Sequence, residues 1–316
     1  MPRAPRLGDW ISLFTLTVLW GSAFLLNELA LGSFSPQVLV AGRIVIAALV
    51  FLTYARVRGV TLPRSLSAWI PLLVIAVFGN VLPFNLIAWA QQHIDSSLAG
   101  ILMAVMPLFV LTLAHFFIPG GKLTPFRVAG FVVGFSGVVV VIGPNIAGGL
   151  DGDLAFWGAL AALGAAFSYA LSSIYTRRLG AADPVRLSAG MLLVASALSA
   201  PAAVIDLPHL SLPSAAAVLA LLGLGLLSTG FATLLYFRLI QGPGPAFLSL
   251  VNYLVPAWAV AAGAVFLGES LSLSTVIGLA LILCGIATGE FGPPAIRFLK
   301  SLRSNAALAP VAREDV

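Results

Sequence analysis

Apolar residues run along the chain in ten long stretches that carry almost no charge. They cover about 10–31, 37–55, 68–92, 96–118, 125–142, 156–179, 186–205, 214–239, 245–267 and 275–290, with ends set to within about two to four residues. Between them lie short clusters of turn residues: SFSP at 33–36, IPGGK at 118–122, GPNIAGGLDGD at 143–153, GAADP at 180–184 and GPGP at 242–245. A helix needs about 20 apolar residues to cross the hydrocarbon core. The pattern therefore predicts an all-α polytopic membrane protein with ten transmembrane helices. No connection is long enough to hold a soluble domain.

Composition agrees. The 316 residues are 60% hydrophobic and 9% charged, against about 25% charged in soluble domains. In such a chain the net charge of +5 is no sign of nucleic acid; it reports loops at an anionic membrane surface. Cys284 is the single cysteine, so no internal disulfide forms, and no Cys/His cluster has metal-ligand spacing. No cofactor is expected. The first run, from Ile11 to Leu31, is too long for a signal-peptide core and lacks a small-x-small cleavage site, so it reads as a retained span.

With the N-terminus placed inside, every lysine and arginine except Arg43 falls on the inner side. These are Arg3 and Arg6; Arg56, Arg58 and Arg64; Lys122 and Arg127; Arg177, Arg178 and Arg186; Arg238; and the tail. The outer segments hold Asp95, Asp151, Asp153, Asp206 and Glu269. A wrong helix count would scramble this asymmetry. Both termini are expected in the cytoplasm.

The chain also repeats. SPQVLVAGRIVIAAL (35–49) matches DPVRLSAGMLLVASA (183–197), MPLFVLTLAHFF (106–117) matches VPAWAVAAGAVF (255–266), and GFVVGFSG (130–137) matches GLALILCG (278–285). The expected organisation is a first five-helix repeat over 1–148, a second over 149–292 and a basic tail over 293–316. Five is odd, so the second repeat enters from the opposite side. Inverted repeats around a central cavity mark secondary transporters. Pro107 and Pro256 then become one feature used twice, a break in a helix near the bilayer midplane. Irregular backbone is tolerated there only when buried in protein or lining a cavity. The plainer reading is a pair of packing kinks.

The LWGSAFLLNELAL opening (19–31), the AGR of helix two (41–43), the mid-helix prolines of helices four and nine and the FLGESLS turn (266–272) resemble the EamA family of the drug/metabolite transporter superfamily, over about residues 10–290. Within it the chain looks most like bacterial aromatic amino-acid exporters. The resemblance implies a basket of ten helices with the fifth and tenth peripheral, in the bacterial inner membrane, exporting small metabolites. One departure stands out. The family's acidic turn residue survives only at Glu269, because the first half reads FIPGGK there. That turn reads as structural.

A rise of about 1.5 Å per residue sets the depth of each side chain. The midplane layer then holds Trp20, Asn80, Met103, Pro107, Ser168, Tyr169, Ser228, Thr229, Asn252, Tyr253 and Pro256; Asn85 and Trp89 share one face about a turn further out, and Ser172 lies on the stripe of Tyr169. Asparagine in hydrocarbon is costly unless paired, so Asn80 and Asn252 should face the bundle interior, as substrate contacts or as bonds to neighbouring helices. Trp20, Trp89 and Tyr169 offer rings to an aromatic or apolar ligand; for Trp89 an interfacial belt is the alternative. Arg43 either captures a substrate carboxylate or pairs structurally with Glu28 or with helix-end carbonyls. The second reading is preferred, since the family that the chain resembles keeps arginine here across unlike substrates. Glycines 130, 134, 137, 278 and 285 serve close packing or a dimer face, in a monomer or weak homodimer. AIRFLKSLRS after Pro293 and Pro294 reads as an amphipathic helix on the inner leaflet or as solvated charge.

The expected function is export of amino acids, aromatic and other neutral ones, by alternating access and without proton coupling. A different metabolite, a drug or a purine, is the near alternative. The rival from another class is an intramembrane serine protease, suggested by GFSG at 134–137. It needs a base within reach of Ser136, and no span after Ser136 contains a histidine.

Overall fold

The computed structural model describes residues 3–119, 123–147, 154–180, 183–209 and 211–307, with side chains described at all of these except 144–147, 209, 246 and 291–307. Lys122, Asp151, Asp153 and the charged side chains of the tail lie outside this description. Among the described residues there is no strand. The helices are α1 (Leu7–Leu31), α2 (Pro36–Val57), α3 (Leu66–Ala90), α4 (Ser96–Phe117), α5 (Pro125–Gly143), α6 (Leu154–Leu179), α7 (Pro184–Asp206), α8 (Ala215–Gln241), α9 (Val251–Leu267) and α10 (Leu273–Glu290). All but α9 are long and apolar enough to cross a membrane by themselves, and α9 is preceded by one separate turn at Pro245–Leu248. The chain is a multi-pass helical membrane protein.

Sequence signals set the helix starts. Ser35 accepts a hydrogen bond from Val38 N at 3.3 Å with Pro36 following, and Asp183 accepts from Arg186 N at 2.8 Å with Pro184 following. Both use a capping side chain and then a proline whose missing N–H costs nothing in the first turn. Ser214 caps α8 through Ala217 N at 3.1 Å. α9 stops at Gly268, whose φ of 68° is left-handed and suits glycine. At the far end α10 continues as one helix to Ala307.

α2 packs along α7 and α8, α3 along α6 and α7, α4 along α6 and α9, α1 along α8 and α9, and α5 along α10. The core has three parts. One gathers Leu39, Ile44 and Phe51 of α2 with Leu192 of α7 and Leu224 of α8. The second joins Ile101, Leu102 and Leu108 of α4 to Ala162 and Ala165 of α6 and Ile282 and Ile286 of α10. The third is smaller, with Leu13 and Leu16 of α1 against Leu235, Leu239 and Val251. Tyr169 of α6 packs against both of the first two.

Small residues set the closest approaches, as expected where lipid removes the hydrophobic drive and packing contacts decide. A Cβ at Gly137 would lie 2.7 Å from Gly278 O, and one at Gly130 would lie 2.7 Å from Gly289 N. The glycine stripe of α5 is thus filled by α10 of the same chain, in line with close packing.

Hydrogen bonds tie the helix ends. Ser35 donates to Asp206 at 2.7 Å, and Ser33 to Ser214 at 3.4 Å. Glu269, after α9, meets the start of α4. This is the acidic end, which also carries Glu28 and Asp95. At the opposite, basic end Arg3 pairs with Asp9 at 2.5 Å, and Arg3 N donates to Gly242 O at 3.4 Å.

Candidate functional site

Two helices carry a wide, π-helical stretch at mid-length: Val77–Val81 in α3 and Gly223–Phe231 in α8. Such stretches insert a residue into the helix and leave carbonyls badly aligned. Shifted by the 148 residues that relate 35–49 to 183–197, positions 77–81 fall at 225–229, inside the second stretch. Polar side chains take up the disturbed carbonyls. Ser168 Oγ donates to Phe78 O at 2.8 Å, Asn85 Nδ2 to Val81 O at 2.7 Å, and Thr233 Oγ1 to Thr229 O at 2.6 Å. Ser228 Oγ donates to Leu19 O at 2.8 Å and so anchors the second stretch to α1. Ser172 is buried beside the first stretch, where a Cβ at Gly79 would come within 2.7 Å of its hydroxyl. Ser168, Ser228 and the Asn85 amide therefore serve the backbone, which is the structural reading of these residues.

Arg43 lies between the two stretches. Its Nε donates to Thr229 Oγ1 at 2.8 Å, and Cζ stands 3.9 Å over the centre of the Phe84 ring. The side chain is 7% exposed. Tyr169 is within electrostatic reach of the guanidinium, and its ring meets Phe84 edge-on at 6.3 Å. On the matching side of the fold Asn80 Nδ2 points to Met191 Sδ at 3.8 Å; Met191 is the residue that aligns with Arg43 in the repeat. The preferred pairing of Arg43 with Glu28 is not formed, and helix-end carbonyls do not replace it. Glu28 faces the other way, toward Asp95 and Glu269. Equal depth put Arg43 and Glu28 together on paper, but their helical faces point apart.

α4 and α9 are both irregular, though not in the same register. α4 breaks at Ala104 and Val105, where i→i−3 bonds to Ile101 and Leu102 tighten the turn, and Pro107 opens the helix that follows. In α9 the irregular turn is at Ser249 and Leu250, and Pro256 sits inside the continuing helix. There the bonds from Asn252 N to Ser249 O and from Tyr253 N to Leu250 O tighten the turn before the proline. The exact equivalence of the two prolines is thus corrected: each accompanies a tightened turn, but in α9 the turn lies two helical turns upstream. Neither proline has an N–H to offer the carbonyl four residues earlier, Met103 in α4 and Asn252 in α9. The half-buried Asn252 side chain makes no hydrogen bond among the described residues. Tyr253 Oη donates to Glu290 Oε2 at 3.2 Å. Tyr253, a residue of the predicted midplane layer, thus contacts the carboxylate that ends α10.

Other predicted residues are spread out. Trp20 packs with Tyr236 at 5.9 Å in the third core part, away from Tyr169. Asn85 and Trp89 line a cleft of about 480 Å³ whose other walls are Pro36, Gln37, Leu82, Leu86 and Gln92. That cleft lies between α2 and α3 at the acidic end. At the same end Asn27 Nδ2 donates to Gln91 Oε1 at 3.1 Å, and Gln91 Nε2 to Phe24 O at 2.8 Å. Glu269 accepts from Ser96 N at 2.9 Å, from Ser97 N at 3.0 Å and from the Ser97 hydroxyl. It caps α4 from the far half of the chain, in keeping with its structural reading. Asp95, in the connection before α4, is held above the usual carboxylate range by burial and then by the Glu269 charge. Ser136 Oγ donates to Val133 O at 2.7 Å from an exposed position, with no base against it among the described residues.

Phe84, Gln91 and Met191 escaped the sequence reading. Phe84 is one turn from Asn80 and shares its face, which was the available signal. Gln91 was hidden by its place at a helix end.

Comparison with known proteins adds the family. A model described as the EamA-like transporter family matches residues 9–143 and again 156–288. The uncharacterized inner membrane transporter YedA of Escherichia coli is 30% identical over 294 residues, covering 89% of this chain and 90% of that protein. The uncharacterized transporter YoaV of Bacillus subtilis is 24% identical over 289 residues, covering 89% and 96%. A crystal structure at 24% identity superposes with a TM-score of 0.66 over 92% of this chain and 99% of that one, which shows the shared fold. With both halves matched, the chain belongs to the EamA-like transporter family.

Proposed function

We propose that the protein exports amino acids, aromatic and other neutral ones, across the bacterial inner membrane by alternating access, with both termini in the cytoplasm. One observation carries the reading. Deep among the helices, the Tyr169 hydroxyl and the Arg43 guanidinium edge have no hydrogen-bond partner among the described residues and stand beside the Phe84 ring; the half-buried Asn252 amide of α9 is likewise unpaired among them. A bundle built only to be stable would not leave such groups unpaired in hydrocarbon. The Met103 and Asn252 carbonyls released by proline suit an ammonium group, and the rings suit an apolar side chain.

The helix pairs support two halves that rock against each other. Under the repeat offset α2 with α7 maps onto itself, as does α5 with α10. The α3–α6 contact maps onto α8–α1, and α4–α6 maps onto α9–α1. Tyr169 sits where the two larger core parts meet.

The test is efflux from proteoliposomes preloaded with labelled phenylalanine, leucine or adenine. Protein-dependent efflux of the amino acids supports the reading. Efflux of adenine alone would assign the protein to another metabolite class. A cysteine placed at Asp206 in a Cys284→Ser background should react with an impermeant thiol reagent from outside whole cells, and one at Arg58 should not.

A further inference from the structure

We infer that Arg43 is the group that recognises a substrate carboxylate, so that the transported class is carboxylate-bearing compounds with an apolar or aromatic side chain. The inference rests on the transport reading above and narrows it.

A guanidinium has five N–H donors. In Arg43 one of them, on Nε, is used by Thr229. The four on Nη1 and Nη2 have no acceptor among the described residues, yet neither nitrogen is sealed away from open space. No carboxylate among the described residues lies within ion-pair distance of the side chain, and Glu28 is turned toward Asp95 and Glu269. A cation taken out of water without a counter-charge is costly. The Phe84 face returns only part of this. The remaining deficit is concentrated on the flat Nη1–Nη2 edge, which fits the two oxygens of a carboxylate in parallel hydrogen bonds.

A purely structural role fits less well. Met191 occupies the aligned position in the second half and packs against Asn80 without any charge, so helix packing at this depth does not call for an arginine. The surroundings also hold the guanidinium in place. Thr229 fixes Nε and Phe84 fixes the plane, which leaves the outer edge presented with little freedom to lose on binding. Tyr169, edge-on to Phe84, lies where the rest of a bound molecule would extend.

Two measurements test this. In proteoliposomes, flux of phenylalanine is compared with flux of phenylalaninamide, which keeps the ring and the amine but lacks the carboxylate. In detergent, thermal stabilisation by 3-phenylpropionate is compared with that by 3-phenylpropionamide. The wild type should prefer the carboxylate by about ten- to a hundred-fold, as a charge-assisted hydrogen-bond pair allows. Arg43→Met, which copies Met191, should abolish that preference, read as the ratio of carboxylate to amide flux and as the loss of selective stabilisation by 3-phenylpropionate. Arg43→Lys should restore part of it. Equal carboxylate and amide flux in the wild type would overturn the inference and leave amino-acid transport standing. Stabilisation by 3-phenylpropionate that depends on Arg43, without phenylalanine flux, would keep the carboxylate site and remove the amino-acid reading. Parallel loss of both fluxes in Arg43→Met with a lowered melting point, and no Arg43-dependent stabilisation by the anion, would make Arg43 structural.

Discussion

The side chains of Arg43 and Thr229 meet across 2.8 Å, Nε to Oγ1, and this bond ties α2 to the π-helical stretch of α8. Thr229→Val keeps the volume and removes the acceptor, so a buried N–H loses its partner. The expected cost is about 1–3 kcal/mol. Thr229→Ser keeps the hydroxyl and should cost less. Thermal unfolding in detergent reads both. Three indistinguishable melting curves would show that the bond contributes nothing measurable.

Glu269 provides a second case of one half of the chain completing the other. Its carboxylate takes the N–H groups of Ser96 and Ser97 that the first turn of α4 leaves without a helical partner, where the helix dipole also favours negative charge. Glu269→Ala should destabilise by about 1.5–3 kcal/mol, the range of charge-assisted bonds. Glu269→Gln retains an acceptor and should lose less. If alanine and glutamine prove equally damaging, the charge is irrelevant and only the bond geometry counts.

Asp95 offers a pH test outside the spans. Burial and the Glu269 charge raise its folded pKa above the ordinary value. The folded state therefore holds the proton more tightly than the unfolded one. The stabilisation is present in full below the unfolded pKa and is lost as pH rises through the folded value. Asp95→Asn cannot lose it. The variant should melt higher than wild type at neutral pH, and the gap should close on acidification. A gap that is constant with pH would show that Asp95 does not titrate differently on folding.

The helix count, the caps and the transporter family were legible because they rest on composition, short-range chemistry and repeated order. Ser35–Pro36 and Asp183–Pro184 announce helix starts from four residues alone. Azimuth was not: Arg43 and Glu28 face different neighbours, and only packing decides that. The π-helical stretches left no mark, because VFGNV and GLGLLSTGF are ordinary apolar helix sequences. Without them the roles of Ser168, Asn85 and Ser228 could not be told from ligand contacts. Phe84 was passed over because an apolar residue in an apolar run carries no signal until a cation is found against its face.

The α5–α10 contact gives a packing test. A side chain at Gly137 would run into the Gly278 carbonyl, at 2.7 Å from the Cβ, and into the Ile282 backbone at 2.9 Å. Backbone cannot give way as a flexible side chain can. Gly137→Val should push the two helices apart and lower the melting point, whereas Ser136→Val, one position round on the exposed face, should not. Equal stability of the two variants would show that the helices are not held as closely as described.

The last expectation concerns energy. A proton-coupled carrier needs a carboxylate that changes protonation where the substrate binds. Among the described residues, four carboxylates lie within spans. Asp206 accepts from Ser35 Oγ at 2.7 Å at the acidic end. Asp9 is bonded to Arg3 at 2.5 and 2.9 Å at the basic end. Glu28 stands with Asp95 and Glu269 at the acidic end. Glu290 accepts the Tyr253 hydroxyl at 3.2 Å near the end of its span. None touches Arg43, Thr229, Phe84 or Tyr169. Flux should therefore follow the substrate's own gradient. Proteoliposomes with a substrate gradient and no pH difference should transport fully, an imposed proton gradient should not concentrate substrate, and Glu28→Gln and Glu290→Gln should leave both results unchanged. Accumulation that collapses with a protonophore would refute uncoupled transport. Its loss in Glu290→Gln alone would name the Glu290–Tyr253 pair as the coupling site, the carboxylate closest to the broken turn of α9; its loss in Glu28→Gln alone would move that site to the acidic end.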